Sequence, residues 1–464
     1  MKKRNTHSGR YVLHVCGQIL SAVLLVLIMP ALLPGARGVS AEEELSPVNQ
    51  SNAPEEGGEV TLPPRFDWRE HGKAPLVRTQ GKLGTCWAIS ACSALEAVLL
   101  PQENLVFSPD HLSLNNGFVI TQKEGGDPKM IMAYLSSWRG PVLEEEDPYG
   151  DGETTPDLIA SVHVQEMHLL DGMSPKMIKE EILQYGPVQT SLCMDRSMTA
   201  AAKGYYNAAS AAFCDPVEEK ITHDILILGW DDTFEAGRFA GNVSRDGAWI
   251  CQNTWGASFG ENGIFYVSYE DANIARTGLV YAGVEPADNF DVLYQNDVCG
   301  WQGRIGYDSE TAWFANCFTA AGEEVLAAAG FYALGPDTDY EVFLVHGAKG
   351  TAAFSKRVRV AEGHLEHAGY YTVDAAASEE DVLLEAGERF ALLVRITTRD
   401  AAKPVAVEMA KDSYTANVTL DSREGYISAE GILWDETESV YGANICLKAY
   451  TNTYDDGADQ RNES

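Results

Sequence analysis

Positive charge is what this chain has least of. Its 464 residues include 34 lysines and arginines against 68 aspartates and glutamates, a formal net charge of −34. Such an excess repels phosphate backbones, so nucleic acid is not expected as a partner. It also leaves no basic patch for holding an anionic membrane. Cysteine is scarce, with nine residues, too few for a disulfide-built scaffold. No Cys-x-x-Cys occurs and the ten histidines are scattered, so no zinc signature appears and neither metal nor cofactor is expected. Beyond Ala41 no apolar run approaches about 18 residues, which excludes a second membrane-spanning helix. No internal repeat is present.

What is there starts with a leader. No acid precedes Glu42, while Lys2, Lys3, Arg4, Arg10 and Arg37 are basic. The apolar run Ile19–Met29 is short for a bilayer, Pro30 and Pro34 interrupt it, and Val39-Ser40-Ala41 offers small residues for cleavage. Residues 1–41 therefore read as a secretory signal peptide. The competing reading is an uncleaved anchor extended back through Tyr11–His14. Either one places the remainder outside the cytoplasm, secreted or at the cell surface. Without the leader, 29 bases face 68 acids, a net of −39.

Forty-five percent hydrophobic residues describe a globular chain long enough for two or three domains. Residues 42–61 are polar, acidic and broken by Pro47, Pro54, Gly57 and Gly58, as in a linker or short pro-segment. A first domain is expected over residues 62–286. Apolar spacing predicts helices over Cys86–Leu100, Pro128–Ser137 and Ser174–Tyr185, the last with Ser174 as N-cap and Pro175 at N1. Strand patterns follow at Val188–Leu192, His223–Trp230, Ala248–Gln252 and Gly263–Tyr269. Helices first and strands later imply an α+β domain of two lobes. Residues 287–452 read as an all-β sandwich, from short strand-like runs such as Val325–Leu334, Tyr340–His346, Arg389–Thr397 and Asn444–Tyr450. Residues 453–464 read as a disordered tail.

Four separated segments carry chemistry together. They are Gln80 to Ala88 around Cys86, Glu124-Gly125-Gly126, Thr222-His223-Asp224 at the head of an apolar strand, and Asn253-Thr254-Trp255-Gly256. A cysteine at a helix start faces unpaired amides and the positive end of the helix dipole, which favour the nucleophilic thiolate. A nearby histidine would complete a thiolate–imidazolium pair, and an asparagine oxygen could orient that imidazole. Gln80, with the Cys86 backbone N–H, could stabilise an oxyanion by a few kcal/mol per donor.

In these motifs the chain resembles the papain-like cysteine peptidases, over roughly Leu62–Glu285. The order Gln80, Cys86, His223, Asn253 matches that family, and Phe259-Gly260-Glu261-Asn262-Gly263 parallels its Trp-Gly-Glu-Asn-Gly. His223 follows Cys86 by 137 residues, within the family's roughly 130–150. Asn253 comes somewhat late, with the polar stretch Asp231–Asp246 as the inserted loop. The resemblance implies Cys86 as nucleophile, His223 as general acid/base, Asn253 as its orienting partner and Gln80 in the oxyanion hole. It also implies Trp255 as a cover over the His–Asn bond, core packing being the plainer role. Gly125 and Gly126 would offer backbone to an extended protein or peptide substrate lying like an added strand. Leu83 and Lys123 stand where the family has a disulfide, so both halves of that bridge are absent together. Residues 42–61 are much shorter than the family's usual inhibitory prodomain, whose control is not expected. Asp224 occupies a position that lines the family's second specificity pocket, where an acid would favour a basic P2 residue. The alternative is that it points to solvent or helps solvate the His223 cation. Glu124 reads as a solvated charge.

Residues 287–452 resemble the lectin-like β-domain of some secreted bacterial peptidases, on Asn296-Asp297-Val298-Cys299-Gly300-Trp301 and Trp313-Phe314-Ala315-Asn316. This implies a carbohydrate or cell-surface ligand, with Trp301, Trp313 and Trp434 as stacking candidates against the plainer role of buried packing. The function expected is a secreted or surface-associated cysteine endopeptidase. The alternatives are an adhesin on an inactive peptidase scaffold and a peptidoglycan amidase. Of the cysteines, Cys92 and Cys251 read as core thiols and Cys193–Cys214 as a candidate loop bridge. At most one pair can form among Cys299, Cys317 and Cys446.

Overall fold

In the computed structural model of the chain, residues 61–172, 174–194 and 204–454 are described. Residues 1–41, read above as a signal peptide, the segment 42–61 apart from its last residue, and residues beyond 454 lie outside them. Among the described residues no helix is long and apolar enough to cross a membrane.

Helix α1 (Cys86–Leu99) is the spine of the N-terminal half. All of its residues except Val98 are buried. A helix covered on every side belongs in a core, and Val98 is its least covered position. Leu100 leaves the helix in an extended conformation, as a residue before proline must. A short helix, α2 (Pro109–Leu114), has too few residues to show a period and was not expected. Helices α3 (Pro128–Ser136) and α4 (Pro175–Gln184) stand where the spacing puts them. The Asp127 carboxylate accepts from the Lys129 and Met130 amides and the Ser174 hydroxyl oxygen from that of Met177, which caps both starts.

Among the described residues the N-terminal half holds nine strands: β1 (Arg65–Asp67), β2 (Val162–Asp171), β3 (Val188–Leu192), β4 (Tyr206–Asn207), β5 (Ala212–Phe213), β6 (His223–Asp231), β7 (Ala248–Gln252), β8 (Ile264–Ser268) and β9 (Thr277–Pro286). The sheet runs β2-β9-β3-β6-β7-β8-β5-β4. β6 is buried throughout except at Asp231, which carries His223 into the interior. The polar loop expected after Asp231 does connect β6 to β7, although its Phe234 and Phe239 turn inward.

The long strands β2 and β9 were not anticipated. β2 buries His163, Gln165 and His168, and those polar residues mask the apolar pattern. β2 is also where the halves join. Strand Ala368–Asp374 pairs antiparallel with it, Gly369 opposite His168 and Tyr370 opposite Met167. One 14-stranded sheet thus runs through both halves. The core beside α1 includes Tyr332, Tyr370 and Cys446 from the C-terminal half.

The C-terminal half is the expected sandwich. A six-stranded sheet, ordered Val358–Leu365, Thr338–Val345, Arg389–Thr398, Thr311–Thr319, Gly425–Ser428, Asp435–Glu436, faces the end of the long sheet. Phe314, Phe331, Leu392 and Leu447 fill the space between. The run Asn444–Tyr450 proves to be two strands broken at Cys446, where the Asn316 amide donates to the Ile445 and Leu447 carbonyls at 3.0 and 2.8 Å. Asp297 is buried against Lys448 Nζ at 2.8 Å. Both motifs that suggested a lectin-like domain therefore contain residues that hold its framework.

The eight described cysteines are all buried, and none is in a disulfide among the described residues. The candidate bridge Cys193–Cys214 is not formed; the Cys193 thiol donates to Glu219 instead, at 3.3 Å.

Candidate active site

Cys86 is the first residue of α1, and the chain reaches it through a loop anchored from below. Arg78 is buried in a two-point ion pair with Glu96 of α1, at 2.5 and 3.0 Å. The Arg78 carbonyl accepts from the Gly256 amide and the Thr254 carbonyl from the Gln80 amide, so this loop and the one after β7 are laced together. Thr85 does not cap α1 with its side chain; its hydroxyl bonds the Tyr149 hydroxyl at 2.5 Å. The first amides of the helix are left free for other acceptors.

Gln80 is held by both ends of its amide. Its oxygen accepts from the Thr254 hydroxyl at 2.6 Å and its nitrogen donates to the Leu83 carbonyl at 2.7 Å. One N–H of that nitrogen remains to point elsewhere. His223 opens β6 and is buried; its Nε2 meets Asn253 Oδ1 at 2.8 Å. The same oxygen accepts from the Thr254 amide at 2.7 Å. A backbone N–H can only donate, so the asparagine oxygen must lie on this side, Nε2 carries the imidazole proton, and Nδ1 is left as the base. The Trp255 ring lies over His223, centroids 4.8 Å apart, and Phe259 meets Trp255 edge-on at 5.0 Å. Cover and packing are here the same contact.

The electrostatics differ from the sequence expectation. The amides of Asp224 and Trp87 point at the Cys86 sulfur and favour the thiolate, but burial and then the Asp224 carboxylate push the thiol up to about 12. Asp224 is itself buried, which pushes it up to about 6 against the hydrogen bonds from Ser191 (2.6 Å) and Gln189 (3.5 Å). It does not point to solvent, which corrects that alternative.

Gly125 and Gly126 lie half-exposed at the cleft edge, and each is glycine for a local reason. Gly125 has φ +83°, and a Cβ on Gly126 would collide with the Trp87 ring. Glu124 is tied to the Thr121 amide and hydroxyl at 2.8 and 2.9 Å, an exposed turn charge. Two hollows flank the cleft. One, of about 440 Å³, is lined by Gln80, Lys82, Leu83, Met194, Thr222, His223 and Trp255. The other, of about 330 Å³, has Asp127, Pro128 and Met130 on one wall and Lys411, Tyr414 and Thr415 of the C-terminal half on the other. Sequence reasoning missed that shared wall, as it missed Thr254, Ser191 and Gln189. Thr254 alone left a signal, standing between Asn253 and Trp255.

Trp301 and Trp313 are not free to stack on sugars. They are buried beneath Lys129 (3.9 Å) and Arg357 (4.5 Å) respectively. Trp434 is half-buried, edge-on to Phe354. Asp337 and Asp339, at the start of strand Thr338–Val345, pair with Arg399 and His364 at 2.6 and 2.8 Å.

Residues 62–281 match the family model described as papain family cysteine protease, and residues 293–451 match that of the lectin-like domain. Among curated relatives, cathepsin L of Sarcophaga peregrina is 29% identical over 241 residues, and cathepsin S of Bos taurus 27% over 225. These alignments take in 49% and 46% of this chain and 64% and 62% of the relatives. The chain therefore spans less than two thirds of the length of either. The solved cysteine protease and lectin-like domains of Cwp84, a surface layer associated protein of Clostridium difficile, share the fold across both halves. That likeness has a TM-score of 0.73 at 22% identity, covering 85% of this chain and 90% of that one. Clostridial Cwp84 after propeptide cleavage gives the same TM-score at 23% identity, over 84% and 99%.

Proposed function

With a papain-family cysteine protease domain and a lectin-like domain joined in one chain, we propose a secreted or surface-held endopeptidase that works through Cys86, His223 and Asn253. The observation that carries this is the buried 2.8 Å bond from His223 to Asn253, roofed by Trp255 beside the helix start that presents Cys86. His223 Nδ1 takes the thiol proton as the sulfur attacks the peptide carbonyl. The oxyanion is met by the Cys86 amide and the free N–H of Gln80. His223 then gives its proton to the departing amine, leaving a thioester on Cys86. A water, deprotonated by the same imidazole, attacks the thioester; the acid is released and the thiol restored.

The substrate lies extended along Gly125-Gly126, and its P2 side chain enters the hollow walled by both halves. Asp127 lines that hollow and the Asp224 charge lies close to Asp127, which together favour a basic P2 residue. The C-terminal half holds the enzyme at a glycan or cell envelope. A polar hollow of about 290 Å³ on its six-stranded sheet supports this, with Tyr340 as a ring and Asp339, Glu341, Glu362 and Arg395 as hydrogen-bonding groups. The surface-layer association of Cwp84 points the same way.

The test is labelling with a peptidyl epoxide that traps papain-like thiolates, read by intact mass. One adduct on the protein and none on Cys86→Ala supports the proposal; no adduct on folded, reduced protein overturns it. For P2, paired peptides decide: Arg no better than Leu in kcat/KM ends the basic preference.

A further inference from the structure

Where the two halves meet, three side chains far apart in sequence converge. His168 comes from β2, Glu181 from α4, and His367 from the turn leading into strand Ala368–Asp374. Their nearest nitrogen and oxygen atoms all lie within 4.8 Å of one another. His168 Nδ1 is 3.0 Å from one Glu181 oxygen, and His367 Nε2 is 2.9 Å from the other. The strand register enforces this meeting. Gly369 sits opposite His168, and any Cβ there would collide with the Met167 carbonyl, so the strands close tightly just past His367.

We propose that His168, Glu181 and His367 bind one first-row divalent cation, zinc before the others, fastening the lectin-like half to the papain-family domain.

The donor set is two imidazoles and one carboxylate, a common combination for zinc. Tetrahedral zinc with bonds of about 2.0–2.1 Å separates its ligands by about 3.4 Å, so the two nitrogen–oxygen pairs at 3.0 and 2.9 Å open by a few tenths of an ångström while the three ligand atoms, now within 4.8 Å of one another, gather on one ion. The outer partner is already placed. His168 Nε2 bonds Glu166 at 2.7 Å, the carboxylate contact that fixes a ligating imidazole with its other nitrogen inward. Tyr185 meets the His168 ring edge-on at 4.8 Å and holds it from the side. Access is from His367, whose side chain is 19% exposed against 2% for His168 and 7% for Glu181. A fourth position on that side is open to water. On binding, the proton His168 Nδ1 shares with Glu181 leaves to solvent, and that on Nε2 stays with Glu166. His367 moves its proton from Nε2 to Nδ1. No electron is transferred, and the site is independent of the proposed peptidase chemistry.

Spacing rules cannot find such a site, because its ligands lie on three elements of two domains. The test is titration of the chelator-stripped protein with zinc chloride against a chromophoric chelator, in a Cys86→Ala background so that the cleft thiol does not compete. The expected result is one equivalent bound, a zinc-dependent rise in Tm, and at least about 100-fold weaker binding in His367→Ala and Glu181→Gln. Cobalt(II) should give visible d–d absorption without a thiolate charge-transfer band. Glu166→Gln, which keeps all three ligands, should bind about 10–100-fold more weakly, and it carries the test if the other variants fail to fold. No saturable binding, binding unchanged in these variants, or a thiolate band overturns the proposal.

Discussion

One oxygen, Asn253 Oδ1, accepts from both His223 Nε2 and the Thr254 amide, at 2.8 and 2.7 Å. The second bond makes the first specific, because it prevents the amide from turning its nitrogen toward the imidazole. Asn253 Nδ2, by contrast, is buried with no hydrogen-bond partner among the described residues. The arrangement favours one tautomer of His223 and accepts an unpaired donor in return. Asn253→Ala should therefore lower kcat about 10²-fold with little change in KM, since a misoriented imidazole loses part of the 10²–10⁴ that general acid–base catalysis supplies. Steady-state kinetics on one fluorogenic peptide checks this. An unchanged kcat would mean that Trp255 alone orients the ring.

Gln80 and Thr254 make a graded pair. Gln80→Ala removes an oxyanion donor and should lower kcat by about 10²–10³. Thr254→Val keeps the donor but frees its amide from the 2.6 Å hydroxyl contact, and should lower kcat only several-fold. Equal losses in the two variants would show that Gln80 acts through loop structure and not through its N–H.

Asp224 opposes the Cys86 thiolate, so Asp224→Asn should lower the thiol pKa and speed alkylation by iodoacetamide near neutral pH. The same change has a stability signature. Burial raises this carboxyl from its ordinary 3.8 to about 6, so between those values the native state holds a proton that the unfolded chain has lost. Stability contributed by Asp224 therefore falls as pH rises through that window and stays low above it. Asp224→Asn should raise Tm at about pH 7.5 and leave it nearly unchanged at about pH 3.5. A Tm gain equal at both would place the effect in packing.

Lys448 and Asp297 are both buried, 1% and 0% exposed, and Lys448 Nζ also donates to Gln295 and to the Asp297 carbonyl. Removing one partner strands the other, so Lys448→Ala should cost about 3–5 kcal/mol in urea unfolding. Lys448→Met with Asp297→Asn should recover much of that loss. No recovery in the double variant would mean that the lysine contacts beyond the ion pair dominate.

Tyr414 of the lectin-like half lines the hollow beside Asp127 and Met130, and its carbonyl accepts from the Val119 amide at 2.8 Å. Tyr414→Ala should raise KM several-fold for peptides with a large P2 residue and leave acylation of a P2-Gly peptide unaffected. Equal effects on both would place Tyr414 in loop stability.

The sequence made the site more legible than the frame around it. Cys86, His223, Asn253 and Gln80 stand out as residues at fixed spacings, and the structure places Cys86 at a helix start, His223 against Asn253 and Gln80 against Thr254. α3, α4 and β6 were readable because a cap, a proline or an unbroken apolar run marked them. β2 and β9 were not, since β2 pairs buried His163 with Asn289, the Gln165 oxygen with Thr372 and His168 with Glu181, partners distant in the chain that no local period records. The same cause hid Asp224's setting, fixed by Ser191 and Gln189 on β3 and by the depth of β6. Gly126 carries a constraint that no sequence pattern records, the Trp87 ring that any Cβ there would meet.

The hydrogen-bond ladder between β2 and strand Ala368–Asp374 decides what happens when the chain is cut. Ending the protein after Pro286 would bare the backbone donors and acceptors of β2 along an edge flanked by Val164, Met167 and Leu169, with Glu166 the one acid within the lost ladder and no proline to blunt it. Such an edge pairs with its own copies. An N-terminal half released by proteolysis at the junction would be lost to self-association, so its lifetime as a monomer is set by how long the two halves stay covalently one.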